Sequence, residues 1–326
     1  MTLFDVFNGD ADGICALHQL RLAEPAESRL VTGPKREIDL LKRVRAQAGD
    51  RVTVLDVSLA KNRAALDALL AAGAHVRYFD HHQPGEIPTH PGFEPHIDTD
   101  ADVCTSLLVN AHLRGRHLAW AVAAAFGDNL AASARRAAVP LGLSETQLAQ
   151  LQSLGECLNY NGYGETLDDL HFDPAELYRA VRPYADPFAF AAESSAYGVL
   201  KAGYADDMAR AEGIAPAESR PSGRIFLLPA EKWARRISGV YGNRLAVEAP
   251  TRAHAVLTAK PGGGYLVSVR APLADRQGAD VLCSQFDTGG GRKAAAGINH
   301  LPEAELGRFI AGFYTVFSGI QTACPN

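Results

Sequence analysis

Tyr78-Phe79-Asp80-His81-His82 ends an apolar, strand-like run and is followed at once by a turn, Gln83-Pro84-Gly85. An Asp and two His crowded at the end of a buried strand are costly unless a cation or a phosphate meets them. Taken alone, neighbouring histidines at a strand end read equally well as polar edge residues. The case strengthens because other runs also end in carboxylates. Leu3-Phe4-Asp5-Val6-Phe7 leads into Asn8-Gly9-Asp10-Ala11-Asp12-Gly13, and Val52-Thr53-Val54-Leu55 leads into Asp56. A fourth carboxylate, Asp128, follows the apolar run 120–127. Carboxylates and imidazoles converging from several strand ends point to a two-metal site.

Working outward, the first 130 residues alternate short β-rich runs with helical patterns. Strands are expected at 3–7, 29–32, 52–57 and 74–79, and helices at 14–22, 38–48 and 63–72. Leu17 and Leu20 face inward on the first helix, and Leu41 and Val44 on the second. This alternation implies a mostly parallel sheet with right-handed crossovers. In such sheets ligands gather at the carboxyl ends of the strands, where Asp10, Asp12, Asp56, Asp80 and His81 lie. From Thr105 to about Tyr204 the pattern turns helical and Ala-rich. The small, polar stretch 205–223 reads as the end of a linker covering 201–223. Beyond it, 224–228, 253–259 and 265–270 read as strands and 303–317 as a closing helix. The fold class is α/β, with a parallel-sheet domain over 1–200 and a smaller α/β domain over 224–326.

At 326 residues the chain is long for one domain and comfortable for two, and 47% hydrophobic content is ample for packed cores. A net charge of −5 argues against a broad basic surface for long duplex nucleic acid, while leaving room for a local basic groove. Cys15, Cys104, Cys157, Cys283 and Cys324 are scattered and odd in number, which fits reduced thiols better than disulfides or a zinc site. The first strand begins at Leu3, leaving no room for a leader, and the longest apolar run, 118–126, falls well short of the ~20 residues that cross a bilayer. A cytoplasmic protein without membrane contact is expected.

Asp10 and Asp12, two apart in a turn, can each serve a different cation, and Asp56 can bridge two because one carboxylate carries two oxygens. Mixed Asp and His ligands favour Mn(II) or a similar borderline ion, whereas pure oxygen ligation would suggest Mg(II) or Ca(II) and Cys ligands Zn(II). The plainer reading of Asp-x-Asp-Gly is a surface turn or a calcium loop. Gly289-Gly290-Gly291-Arg292-Lys293 suits an anion, because bare backbone amides approach it closely and two cations follow. The run Ala294-Ala295-Ala296 is expected to start a helix there. Thr105-Ser106 reads as a helix start capped by Asp102 or Thr105. Trp120, Tyr160, Tyr163, Phe188 and Phe190 read as packing residues, and Lys232, Arg235 and Arg236 as a solvated helix face.

Asp10-Ala11-Asp12-Gly13, Val54-Leu55-Asp56, Asp80-His81-His82 and Gly127-Asp128-Asn129 resemble, in order, the four motifs of the DHH phosphoesterase superfamily, which includes RecJ-type exonucleases, nanoRNases and cyclic-dinucleotide phosphodiesterases. The run from Gly289 to Gly297 resembles the glycine-rich signature of the DHH-associated C-terminal domain, so the resemblance covers nearly the whole chain. It implies one metal on Asp10 and Asp56 and a second on Asp12, Asp56, His81 and Asp128. Asp80 and His82 then orient ligands or contact the scissile phosphate. Arg270 matches a Ser-x-Arg position and, with Gly289, Gly290, Gly291 and Arg292, is implied to hold substrate. Two departures stand out: Asn8 where many members carry a metal-binding His, and Arg292 where the glycine signature continues with His. The resemblance implies a two-metal phosphodiesterase using manganese, with magnesium as the alternative, on short oligonucleotides or a small nucleotide. The alternatives are a cyclic-dinucleotide or nucleoside-bisphosphate phosphoesterase, or a nucleotide-binding regulator with a weakened metal site.

Overall fold

The β-branched and aromatic runs of the first hundred residues assemble into one parallel sheet. Its strands are β1 (Leu3–Phe7), β2 (Arg29–Val31), β3 (Arg51–Leu55), β4 (His75–Asp80) and β5 (Phe93–Ile97), in spatial order β2-β1-β3-β4-β5. Every neighbouring pair is parallel. The computed structural model describes residues 1–320, which divide into one unit spanning Met1–Gly203 and a second beginning at Tyr204. Cys324 lies outside the described residues; Cys15, Cys104, Cys157 and Cys283 are buried free thiols. No helix among the described residues is long and apolar enough to cross a membrane.

Helices α1 (Ala11–Ala23) and α2 (Leu59–Ala71) follow β1 and β3. The chain leaves β1 toward β2 on one side and returns to lay β3 on the other, so the strand order reverses between β1 and β3. A crevice opens at the carboxyl ends of strands where the order reverses. Asp10 and Asp56, which follow those two strands, therefore flank it. β5 adds an edge strand to those expected; Glu94 and Pro95 mask its pattern, and an edge tolerates both.

The expected helix over 38–48 is only a single 3-10 turn, Leu40–Arg43. Asn62 holds the turn through the Leu41 amide (3.2 Å) and the Ile38 carbonyl (2.7 Å), and Val44 is already extended. Leu41 and Val44 are buried as expected.

The helical part of the first unit comprises α3 (Thr105–His112), α4 (Leu118–Gly127), α5 (Ala131–Ala138), α6 (Glu145–Gly162), α7 (Pro174–Val181), α8 (Pro187–Glu193) and α9 (Ser195–Glu212). α4 is buried along 120–127 and packs against α1, α3, α5 and α6, as an all-apolar helix must. Asp128 therefore arrives from the C-cap of a helix and not from a strand end. Backbones come very close here: a Cβ on Gly155 would lie 1.9 Å from the Ala123 carbonyl oxygen. Trp120, Tyr160 and Phe190 are buried, while Phe188 and Tyr163 are half-buried.

The expected linker is ordered. α9 runs on to Glu212, β6 (Glu218–Arg220) pairs with β7 (Gly223–Leu228), and the division between units falls inside α9. Small, polar residues lie on an exposed helix and an edge strand as readily as in a loop. The second unit continues with α10 (Lys232–Glu248), β8 (Ala253–Ala259), β9 (Tyr265–Arg270), α11 (Ala279–Cys283), β10 (Gly289–Gly291), β11 (Ala295–Leu301) and α12 (Leu306–Ile320). Its sheet runs β10-β11-β9-β8-β7-β6, parallel only between β7 and β8. Ala255, Leu257, Val267 and Val269 pack with Phe309, Phe313 and Phe317 of α12. Of the expected solvated cations only Lys232 is exposed; Arg235 is buried, and Arg236 pairs with buried Asp207 of α9 at 2.8 Å.

The close approach of α4 and α6 makes a test. Gly155→Ala should destabilise the protein by about 1–3 kcal/mol or more through overpacking. Gly198→Ala, on the exposed face of α9 with open space around it, should stabilise it by about 0.5–1 kcal/mol. Urea unfolding of the two variants reads both; equal effects would mean that the α4–α6 contact does not constrain the fold.

Candidate metal centre

Asp10 is the N-cap of α1, and its Oδ1 accepts the amides of Asp12 (3.0 Å) and Gly13 (3.1 Å). Its Oδ2 accepts the Lys35 ammonium at 2.5 Å. Asp12 lies in the first turn of α1. Its two oxygens take the first amides of α3, from Thr105 (Oδ2, 2.7 Å) and Ser106 (Oδ1, 2.7 Å). The cap expected from Asp102 or Thr105 is therefore supplied by Asp12 across the fold. Asp102 is exposed and pairs with Arg136. Asp56, just past β3, adopts the left-handed region (φ 57°), as does Asn129 beside Asp128 (φ 63°). Asp and Asn enter that region at modest cost, and such outliers gather at functional sites.

The three residues at the end of β4 divide their tasks. His81 Nδ1 donates to the Val103 carbonyl (2.9 Å), which leaves Nε2 3.3 Å from Asp56 Oδ1 and 3.8 Å from Asp128 Oδ2. A carbonyl on one imidazole nitrogen sets the tautomer that makes the other a metal ligand. Buried Asp80 instead accepts the Leu59 amide at the start of α2 (3.2 Å) and His82 Nδ1 (2.7 Å). It orients His82 and caps a helix. His82 keeps Nε2 for another partner.

Two groups of potential ligands have all their donor atoms within 4.8 Å of one another: Asp12, His81 and Asp128, and Asp56, His81 and His82. Burial first, then Asp10 and Asp12, push the Asp56 carboxyl up to about 8. Burial and Asp128 raise Asp12. Burial also acts to raise Asp10, but Lys35 and the Gly13 amide outweigh it and hold Asp10 below the carboxylate range. Burial opposes a charge on His81, yet Asp56, Asp128 and Asp12 together push it up to about 10. His82 is likewise raised against burial by Asp80 and Asp56. A pocket that concentrates carboxylates until they retain protons suits a divalent cation, to which it offers mixed oxygen and imidazole donors.

In the second unit the glycine run forms strand β10 of a hairpin with β11, where a helix start was expected. Arg292 and Ala295 exchange both backbone hydrogen bonds around Lys293-Ala294. A Cβ on Gly289 would lie 1.8 Å from the Cys283 carbonyl oxygen, and one on Gly291 (φ 145°) would lie 2.5 Å from Ala296 Cα. These two glycines are required by the fold, whereas Gly290 faces open space. Arg292 is exposed at the turn. Arg270 stands opposite Ala295 in the register, with its guanidinium bonded to Asn243 Oδ1 (2.6 Å), Ser268 Oγ (3.0 Å) and the Gly239 carbonyl (3.1 Å). It ties β9 to α10.

Lys35 escaped the sequence reading. It follows β2 at the same sheet end as Asp10, so the strand-end rule applied to every strand would have found it. A cavity of about 270 Å³ beside the centre is lined by Asn8, Lys35, Asp56, Lys61 and His82 and by apolar Ile38, Leu40 and Val57. Lys61 and this apolar wall also went unread, because no motif marks them.

The raised pKa values fix a sign. Ligation needs ionised Asp56 and neutral His81 Nε2, so an incoming cation must expel protons. Manganese affinity should fall as the pH drops below about 10, where His81 takes up a proton, and more steeply below about 8, where Asp56 does. Calorimetry in two buffers of different ionisation heat should show proton release. Binding that is independent of pH, with no release, would exclude Asp56 and His81 as ligands.

No protein-family model and no curated protein sequence matches the chain. Solved structures do. An exonuclease RecJ bound to manganese aligns over 99% of this chain and 91% of its own, with 17% identity and a TM-score of 0.63. RecJ from Thermus thermophilus in complex with Mn2+ aligns over 100% of this chain at 19% identity and a TM-score of 0.60, and this chain spans 52% of it. The pGpG-specific phosphodiesterase PggH from Vibrio cholerae aligns over 98% of this chain and 99% of its own, with 13% identity and a TM-score of 0.59. Together with the order β2-β1-β3-β4-β5, three motifs at the carboxyl ends of its strands and the fourth at the end of α4, these likenesses show that the chain has the fold of the DHH phosphoesterase superfamily.

Proposed function

We propose that this chain is a metal-dependent phosphodiesterase that hydrolyses short oligonucleotides or a related small nucleotide, with manganese as its ion and magnesium as the alternative. One observation carries the reading: Asp12, His81 and Asp128 bring their donor atoms within 4.8 Å of one another, and Asp56, His81 and His82 do the same beside them. Asp12, Asp56, His81 and Asp128 would hold one ion; Asp10, Asp56 and Asn8 surround the other position. Bound divalent cations polarise a phosphoryl oxygen and acidify water, which allows hydrolysis without a covalent nucleophile. RecJ structures have been solved with Mn2+ and with Mg2+, and PggH is a pGpG-specific phosphodiesterase.

The chain's own residues then bind and orient. Asp80 fixes the His82 ring through Nδ1, so His82 Nε2 is available to a phosphate oxygen. Lys61 supplies charge, and Ile38, Leu40 and Val57 supply an apolar wall for a base. The cavity of about 270 Å³ is near the lower end for small-molecule sites and suits one nucleotide of a short strand. The net charge of −5 disfavours long strands. In the second unit, Arg292 beside Gly290 is assigned to a substrate phosphate, and Arg270 supports that hairpin. Asn8 and Lys35 favour one second reading, a nucleotide-binding regulator with a weakened metal site.

A panel of di- to pentanucleotides, single-stranded DNA, cyclic dinucleotides and nucleoside bisphosphates, assayed with manganese and with chelator, separates these readings. Manganese-dependent turnover of at least one substrate is expected; nucleotide binding without turnover would favour the regulator. Asp56→Ala should lower turnover by several orders of magnitude. Retention of more than a tenth, a barrier change under about 1.4 kcal/mol, would remove Asp56 from the centre. Arg292→Ala should raise KM with little loss of kcat, costing about 1.5–3 kcal/mol of binding. An equal fall in kcat would place Arg292 in the chemical step instead.

A further inference from the structure

We propose that Lys35 is a resident cation at the first metal position, so that this centre takes one divalent ion and one ammonium in place of two divalent ions. The inference rests on the metal-centre reading above and refines it. Lys35 Nζ lies 2.5 Å from Asp10 Oδ2, 3.5 Å from Asp128 Oδ1 and 3.3 Å from Asn159 Oδ1. It stands 5.6 Å from the ring centroid of Tyr163, over its face. The backbone is anchored as well, through the Lys35 amide to the Gly162 carbonyl at 2.9 Å. Carboxylates, an amide oxygen and an aromatic face on one ammonium make a socket for a charged lysine.

The ligand sets agree. Neither group of donor atoms lying within 4.8 Å of one another includes Asp10 among the described residues. Asp10 Oδ1 already accepts two amides and Oδ2 holds the ammonium. Asn8 contributes a neutral carboxamide, a weaker ligand for this metal class than imidazole. The other position keeps Asp12, His81 and Asp128 within 4.8 Å of one another, with Asp56 Oδ1 3.3 Å from His81 Nε2. An ammonium and a divalent ion on the same carboxylate oxygen repel strongly in a buried site, so Lys35 on Asp10 Oδ2 excludes an ion there. Asp128 meets Lys35 through Oδ1 at 3.5 Å and turns Oδ2 toward His81 and the other position. Lys35 also lines the cavity beside the centre, where its charge faces an incoming phosphate. An ammonium attracts that phosphate but does not acidify water as a divalent ion does, so activation of water is left to the single metal position.

The test counts ions in the intact chain. Metal-stripped protein is titrated with manganese chloride by calorimetry, and the loaded protein is examined for metal content and by electron paramagnetic resonance. Wild type is expected to bind one ion per chain with the signal of an isolated Mn(II). Lys35→Met is expected to bind two, with the signal of a coupled pair. Two coupled ions in the wild type would overturn the inference and leave the metal centre standing, and this result does not depend on whether the variant folds. A count of one in a folded Lys35→Met would also overturn it. No bound manganese in either protein would remove the metal centre itself.

Discussion

Four carboxylates, Asp10, Asp12, Asp56 and Asp128, are gathered at one buried end of a parallel sheet, and the rest of the first unit is arranged around their mutual repulsion. Transferring an ion from water into a protein interior costs several kcal/mol unless partners replace its hydration. Each partner comes from a different element. The first amides of α1 hold Asp10, the first amides of α3 hold Asp12, His81 from β4 approaches Asp56 and Asp128, and Lys35 from the loop after β2 joins Asp10 to Asp128. Helix N-termini favour negative charge through their unpaired amides and dipoles, so α1 and α3 serve as fixed positive ends. Burial first, and then the charge that remains unbalanced, raises Asp56, and that same charge raises His81 against its burial, which together suit the site to a divalent cation.

Asp80 ends β4, and His81 and His82 follow it where the chain bends, with their rings 4.6 Å apart. His82 Nδ1 bonds to Asp80 at 2.7 Å, while His81 approaches Asp56 and Asp128. The motif holds two imidazoles in the candidate ligand groups, His82 also lining the cavity, and one buried carboxylate that keeps His82 in place.

The second unit uses glycine for two different reasons. Gly289 and Gly291 are small because carbonyl and Cα atoms of neighbouring segments fill the space a side chain would need. Gly290 meets nothing within 4 Å, so the fold does not require its smallness, and a close-approaching anion would. Arg270, placed by the strand register beside the hairpin, spends its hydrogen bonds on Asn243, Ser268 and Gly239.

The parallel sheet, its strand-end carboxylates and the presence of a second α/β unit were legible in the sequence, because hydrophobic period and turn residues are local properties of the chain. Asp10, Asp12, Asp56 and His81 were legible for the same reason, since the carboxyl end of a parallel strand is where a ligand site opens. Other features depended on groups distant in sequence. The run 120–127 reads as apolar whether it is strand or helix, and only its burial among α1, α3, α5 and α6 identifies the helix that delivers Asp128. The segment 38–48 has a helical period, yet Asn62 captures its backbone groups and stops it at one turn. Ala294 to Ala296 favour a helix locally, but pairing of β11 with β9 and β10 makes them a turn and a strand. The tautomer of His81 depends on the carbonyl of Val103, and the cation beside Asp10 on Lys35, 25 residues away in the chain. Sequence determined which residues could carry charge to the site; tertiary structure decided which charges meet, because electrostatic and hydrogen-bond energies depend on distances that only the packed fold sets.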